Sequence, residues 1–253
     1  MTATHDGDLR TAFLRRRHTV LLAAIIVLFG VRPLLGQSSV ASIAFSFALL
    51  VLMLVALFTT QVDELVGERG ALLAQHRRRR IIGWVLAVPA VAERLFVLAF
   101  PSRENYLIGA LCWLAFFAFV SWSELRNVLR QRSVTAETIR MSISVYLLLG
   151  MTWGVLYIAI FQFDAEAFDF DPSVPGSQSA SIDENHVFQV FLYFSMTTLT
   201  TVGYGDITPR SMGARAAAIA EAVTGPFYLA ILVARLVGMY AAGRRESGDL
   251  DGS

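Results

Sequence analysis

The sequence predicts an all-α membrane protein with six transmembrane helices and one further helix too short to cross a bilayer. Three observations predict it. Of 253 residues, 55% are hydrophobic and 16% are charged, a balance foreign to ordinary soluble domains of this size. The apolar residues gather into Thr19–Gly36, Val40–Val62, Ile81–Phe100, Tyr106–Trp122, Met141–Phe163 and Met212–Tyr240, segments of the length needed to cross a hydrocarbon core of about 30 Å. The arginines, finally, concentrate in alternate connecting segments.

Span one follows Arg15, Arg16 and Arg17 and is interrupted by Arg32 and Pro33. A basic run before an apolar one mimics a signal peptide, but no small-residue cleavage site follows, so a retained anchor is expected. Arg10 and Arg15–Arg17 precede span one; Arg69 and Arg77–Arg80 separate spans two and three. Arg126, Arg130, Arg132 and Arg140 separate spans four and five, and Arg244 and Arg245 follow span six. The other loops carry only Arg32, Arg103 and Arg210. The positive-inside rule then places both termini in the cytoplasm of a multi-pass protein of the cell membrane. All 21 basic residues are arginine, which says little about function. The single cysteine, Cys112, lies in an apolar run and suits packing; no internal disulfide is possible.

Three ionisable residues lie deep in apolar spans: Glu93 and Arg94 in the third, Glu221 in the sixth. Charge at that depth is costly, so these residues are expected to face protein and pair. An Arg94–Glu221 bridge is one arrangement, and local pairs near a polar cavity are the other. Arg77, Arg78, Arg79 and Arg80 with His76 suit anionic lipid headgroups or merely enforce topology. Lone histidines such as His18 and His186 are weak evidence for pH sensing.

Between the last two spans, His186–Leu199 reads as the short helix, followed by Thr200-Thr201-Val202-Gly203-Tyr204-Gly205-Asp206. This string resembles the selectivity filter of potassium channels. The resemblance is strong over Met141–Arg245; over the first 137 residues it is architectural only. It implies a pore domain over 138–245: outer helix, turret, re-entrant pore helix, filter loop and inner helix, in a tetrameric pore. Residues 1–137 would then be a four-helix transmembrane domain and 246–253 a short cytoplasmic tail. Such filters replace an ion's hydration shell with rings of backbone carbonyls from four chains. Aiming successive carbonyls at one axis demands backbone angles that a Cβ resists, which accounts for Gly203 and Gly205. Non-helical backbone at membrane depth is tolerated where protein or a water-filled cavity surrounds it.

Residue by residue, the resemblance places K+ as the permeant ion at Thr201, Val202, Gly203 and Tyr204, with Thr200 and Asp206 flanking. It places Tyr193, Phe194 and Thr197 in support of the filter, and Gly225 at an inner-helix hinge, where Pro226 departs from the family pattern and should kink the helix. Pro226, Leu229, Val233 and Val237 recur at helical spacing. They line a cavity and gate or form a lipid or packing stripe. Arg235 snorkels to the lipid surface or faces the inner mouth. Asp164, Glu166, Asp169, Asp171, Asp183 and Glu184, with no basic residue between Asp164 and Asn185, form either a solvated loop or an acidic vestibule reaching roughly 8–10 Å.

A voltage sensor needs several arginines within its fourth span, and Tyr106–Trp122 has none; weak voltage dependence is expected. Some eighteen residues before span one and about ten after Gly243 leave little room for a ligand-binding domain. The expected protein is a homotetrameric, potassium-selective channel without cofactor, nucleic-acid partner or enzymatic chemistry, since no phosphate loop, metal-spaced His/Cys set or nucleophile–base arrangement occurs. A weakly selective cation channel is the alternative, and a membrane subunit of a potassium uptake transporter the alternative from another class.

Overall fold

The computed structural model describes residues 3–36, 39–66, 81–92, 103–131, 134–171 and 184–250. Within them run helices α1 (Ala3–Leu35), α2 (Ser39–Val66), α3 (Ile81–Ala92), α4 (Arg103–Arg130), α5 (Ala136–Phe163), α6 (Glu184–Leu199) and α7 (Met212–Leu250). Strand β1 (Phe168–Phe170) falls between α5 and α6, and β2 (Ile207–Pro209) between α6 and α7. Among the described residues, Arg17–Leu35, Tyr106–Arg130, Ala136–Phe163 and Met212–Ala241 are helical stretches long and apolar enough to cross a membrane; Ile43–Thr59, Ile81–Ala92 and Val187–Leu199 are shorter apolar helices. Residues Arg77–Arg80, Glu93, Arg94 and 172–183 lie outside the described residues.

The chain divides into two compact units, Met1–Val85 with Trp122–Val145, and Leu86–Ser121 with Tyr146–Ser253. In the first unit α1 and α2 pair. Leu21, Ile25 and Leu28 recur at helical spacing and are buried, as are Ala41, Phe45, Ala48, Leu52 and Ala56 on α2. The opposite face of α2, with Val40, Ile43, Phe47, Leu54 and Phe58, stays exposed, as suits a helix in contact with lipid. Gly36 at φ 66° ends α1, a left-handed cap that residues with a Cβ resist. In the same unit His18 Nδ1 lies 3.6 Å from Glu124 Oε2, both side chains fully buried. Thr135 caps α5: its Oγ1 accepts from Thr138 N at 3.2 Å, and Thr138 Oγ1 accepts from Thr135 N at 3.4 Å, a reciprocal capping box.

The second unit has an aromatic core. Tyr157, Ala167, Phe168, Val187, Phe191, Phe194, Ile207 and Ala214 are buried together, with rings meeting edge to face at 4.8 Å for Phe168–Phe191 and 4.9 Å for Tyr157–Phe194. Large rings dominate its burial energy and their edge-to-face contacts fix orientation. Gly150 and Gly154 lie four apart on α5. A Cβ at Gly154 would meet Leu192 Cα and Phe191 O at 3.3 Å, so the small residues let α6 approach closely, as small-xxx-small faces do in membranes.

The two strands pair antiparallel, Phe168 opposite Pro209 and Phe170 opposite Ile207, a departure from the all-α expectation. The paired segments are too short for a propensity signal and far apart in sequence. Helix α4 runs to Arg130 where hydropathy ends the span at Trp122, because Glu, Leu, Arg and Asn sustain a helix after the apolar run stops. Helix α1 passes Pro33, and α7 runs as one helix through Gly225 and Pro226.

Candidate functional site

The stretch from Thr200 to Asp206 leaves the C-terminal end of α6 and enters β2. Three of its residues take positive φ at alternate positions: Thr201 at 62°, Gly203 at 53° and Gly205 at 81°. In a regular strand successive carbonyls point to opposite sides. Reversing the handedness at every second residue lets them turn to one side, which a ring-stacked ion path requires. Gly203 and Gly205 adopt this without steric penalty. Thr201, a β-branched residue, does not, and such a conformation costs of order 1–3 kcal/mol.

Hydrogen bonds from the end of α6 offset that strain. Thr197 O accepts from Val202 N at 2.9 Å and Gly203 N at 3.1 Å, and Thr198 O accepts from Thr201 N at 3.0 Å. The Thr197 and Thr198 hydroxyls donate back to Phe194 O at 2.9 and 2.8 Å, and Thr200 Oγ1 donates to Met196 O at 2.7 Å. The run of threonines thus serves the backbone of its own helix end.

The far end of the stretch is fixed by other contacts. Asp206 O accepts from Asp171 N at 2.8 Å, and Ala167 O accepts from Arg210 N at 2.8 Å and Ser211 N at 3.2 Å. Tyr193 stacks on Tyr204, centroids 6.3 Å apart and planes 5° off parallel, and its hydroxyl donates to Asp206 Oδ2 at 2.7 Å. That bond to a carboxylate stabilises the protonated phenol and pushes its titration up to about 12. Phe194, one residue on, points the other way into the aromatic core.

Between these anchors the stretch itself is uncovered within one chain: Val202 is 53% and Tyr204 72% exposed. Asp164, Glu166, Asp169, Asp171 and Asp206 bring acid to the same end of the unit, each at least partly exposed.

Helix α7 begins at a Ser211 cap, whose Oγ accepts from Ala214 N at 3.2 Å. Glu221 is fully buried, bonded to the Tyr157 and Ser195 hydroxyls. Arg94 lies outside the described residues, so no bridge to it is described. Gly225 is buried where a Cβ would stand 2.0 Å from Leu199 O. It is therefore a point of close helix approach, whatever else it does. Leu199 O also accepts from the Tyr146 hydroxyl at 3.2 Å. Pro226, Leu229, Val233 and Val237 are exposed, together with Ile219, Val223, Phe227 and Ile231. More than one face of α7 is thus uncovered in a single chain.

Sequence reasoning missed the contacts of Gly150, Gly154, Tyr146 and Ser195. The spacing of the two glycines was the available signal for the first two. Nothing local marks the others, whose partners lie on different helices.

Residues 145–242 match the family model described as Ion channel. The chain is 36% identical over 104 residues to Protein LctB of Bacillus caldotenax, covering 41% of this chain and 73% of that protein. It is 35% identical over 71 residues to Potassium channel protein kcv of Paramecium bursaria Chlorella virus 1, covering 27% of this chain and 68% of the relative. It is 31% identical over 81 residues to Two pore potassium channel c of Oryza sativa subsp. japonica, covering 32% of this chain and 18% of that protein. No solved structure matches.

Proposed function

The chain belongs to the ion channel family and is a multi-pass membrane protein, not an enzyme, and on that premise we propose that it conducts K+ passively through a pore built by four copies. The observation that carries the reading is the alternation of left-handed backbone at Thr201, Gly203 and Gly205 in an exposed segment braced at both ends. The similarity to proteins named as potassium channels in a virus and a plant supports K+ as the ion.

Each copy supplies one quarter of every carbonyl ring, so a single chain cannot conduct. K+ sheds water for the oxygens of Thr201, Val202, Gly203 and Tyr204, with Thr200 and Asp206 at the two ends. Tyr193, Phe194 and Thr197 brace the filter from behind. Pro226, Leu229, Val233 and Val237 face the inner cavity, where an apolar ring closes by dewetting. The uncovered surface of α7, of whose span only 11% is buried in one chain, suits burial against neighbouring copies. Six spans, both termini in the cytoplasm and residence in the cell membrane complete the reading. Anionic headgroups bind at Arg77–Arg80. Voltage dependence is weak, because the apolar part of α4 from Tyr106 to Trp122 holds no arginine.

The test is planar-bilayer recording of the purified protein under a K+/Na+ gradient with voltage steps. A reversal potential near the K+ limit, with a shallow conductance–voltage relation, is expected. A reversal potential near zero would overturn selectivity, and measurable gating current would overturn the voltage argument.

A further inference from the structure

Glu221 lies on α7 one turn before Gly225, fully buried. Its two oxygens are engaged separately, Oε2 by the Tyr157 hydroxyl of α5 and Oε1 by the Ser195 hydroxyl of α6. Ser195 Oγ also lies 2.7 Å from the Gly150 carbonyl oxygen of α5. The titratable side chains facing Glu221 among the described residues are the Tyr157 and Tyr146 phenols of α5.

Three oxygen–oxygen contacts require three protons, and a carbonyl can only accept. Tyr157 brings one proton and Ser195 one. The third has to come from Glu221. A carboxylate there would leave two bare oxygens facing each other at one contact, in surroundings where an unmade hydrogen bond is at its most costly. With the proton on Oε1 every contact closes: Tyr157 donates to Oε2, Glu221 donates to Ser195, and Ser195 donates to Gly150 O.

We propose that Glu221 acts as a neutral carboxylic acid that positions the filter through Ser195. The inference rests on reading this unit as a pore module. Ser195 lies two residues before Thr197, whose carbonyl accepts from Val202 N and Gly203 N. Where α6 sits along its axis therefore sets where the filter begins. The Glu221 link holds α6 against both α5 and α7, and the residue never touches the ion.

The test uses the full-length protein, reconstituted, with single-channel recording under a K+ gradient and oligomer melting in detergent. Glu221→Gln offers an amide that donates to Ser195 and a carbonyl that accepts from Tyr157, so every contact survives. Its open probability should stay within about threefold of wild type, while Glu221→Ala and Ser195→Ala fall at least about tenfold with the oligomer intact. If Glu221→Ala fails to assemble, Tyr157→Phe, which deletes the one contact to Glu221, and Ser195→Ala, which deletes those to Glu221 and Gly150 O, carry the comparison. Glu221→Gln as impaired as Glu221→Ala would show that a charge is needed and overturn the proposal, as would Glu221→Ala behaving like wild type. Infrared difference spectra of wild type minus Glu221→Gln supply a readout independent of current. A carboxylic-acid carbonyl band is expected, and its absence overturns the neutral acid. Should wild type pass no current while that band is present, the pore reading fails and the proton assignment stands.

Discussion

Substituting Gly225 with alanine sets two effects of opposite sign against each other. Alanine is the better helix former by about 1 kcal/mol, so propensity alone predicts a more stable α7. The added Cβ, however, would stand 2.0 Å from Leu199 O, 3.0 Å from Leu199 C and 3.2 Å from Leu199 Cδ1. A carbon–oxygen contact normally needs about 3.3 Å, so α7 and the end of α6 must part by about 1.3 Å. The obstacle is backbone and cannot rotate away. Gly225 also precedes Pro226, where a Cβ is disfavoured in helical conformation. Overpacking against rigid neighbours costs about 1–3 kcal/mol, occasionally more, and this site belongs at the upper end. A net loss of about 2 kcal/mol is expected after propensity is subtracted, roughly a thirtyfold fall in the folded ratio. Thermal melting of the purified protein measures it, with Gly213→Ala, where nothing lies within 4 Å, as the control that should hold or gain stability. Gly225→Ala melting at or above wild type would refute the close approach.

Gly154→Ala meets Leu192 Cα and Phe191 O at 3.3 Å instead of 2.0 Å, a crowding of a few tenths of an ångström that helix propensity offsets, so in the same melting assay it should stay within about 1 kcal/mol of wild type and lose less than Gly225→Ala. Gly203→Ala places a Cβ at φ 53° and should abolish K+ flux measured with thallium while the oligomer still assembles; undiminished flux would refute the carbonyl path. Tyr193→Phe keeps the stack on Tyr204 but loses the bond to Asp206, and should shorten single-channel openings by up to about tenfold. The Tyr193 titration is raised to about 12 from the free-phenol value of about 10. Its stabilising bond is therefore fully present below pH 10 and lost as pH rises towards 12, so wild-type and Tyr193→Phe melting temperatures should converge over that window.

The unusual backbone between α6 and β2 was legible at its glycines because that information is local. Thr201 to Asp206 is contiguous, its glycines announce unusual backbone, and the apolar helices on either side are read by hydropathy. Thr201 was not legible: a β-branched residue gives no hint of a φ of 62°, which comes from the carbonyls that α6 presents to the following amides. The partners of Glu221 were equally hidden, since Ser195 and Tyr157 lie 26 and 64 residues away in sequence. The depth of Glu221 in an apolar span did signal that partners were required. The β1–β2 pairing escaped because Phe168–Phe170 and Ile207–Pro209 are each too short to show an alternating pattern. The extension of α4 escaped because hydropathy reports the membrane and not the helix.

The Leu199 carbonyl draws together three helices at one atom: the Tyr146 hydroxyl of α5 donates to it, α6 ends on it, and Gly225 of α7 leaves room for it. Positions 146, 199 and 225 are therefore not independent in descent. A side chain at 225 is expected to push the end of the short helix away and, with it, the carbonyl that the 146 hydroxyl reaches. Across related chains the three should drift as a set, glycine at 225 surviving wherever a hydroxyl at 146 still reaches the end of the short helix, while exposed positions of α7 such as Ile219 and Val237 change freely with whatever surrounds them.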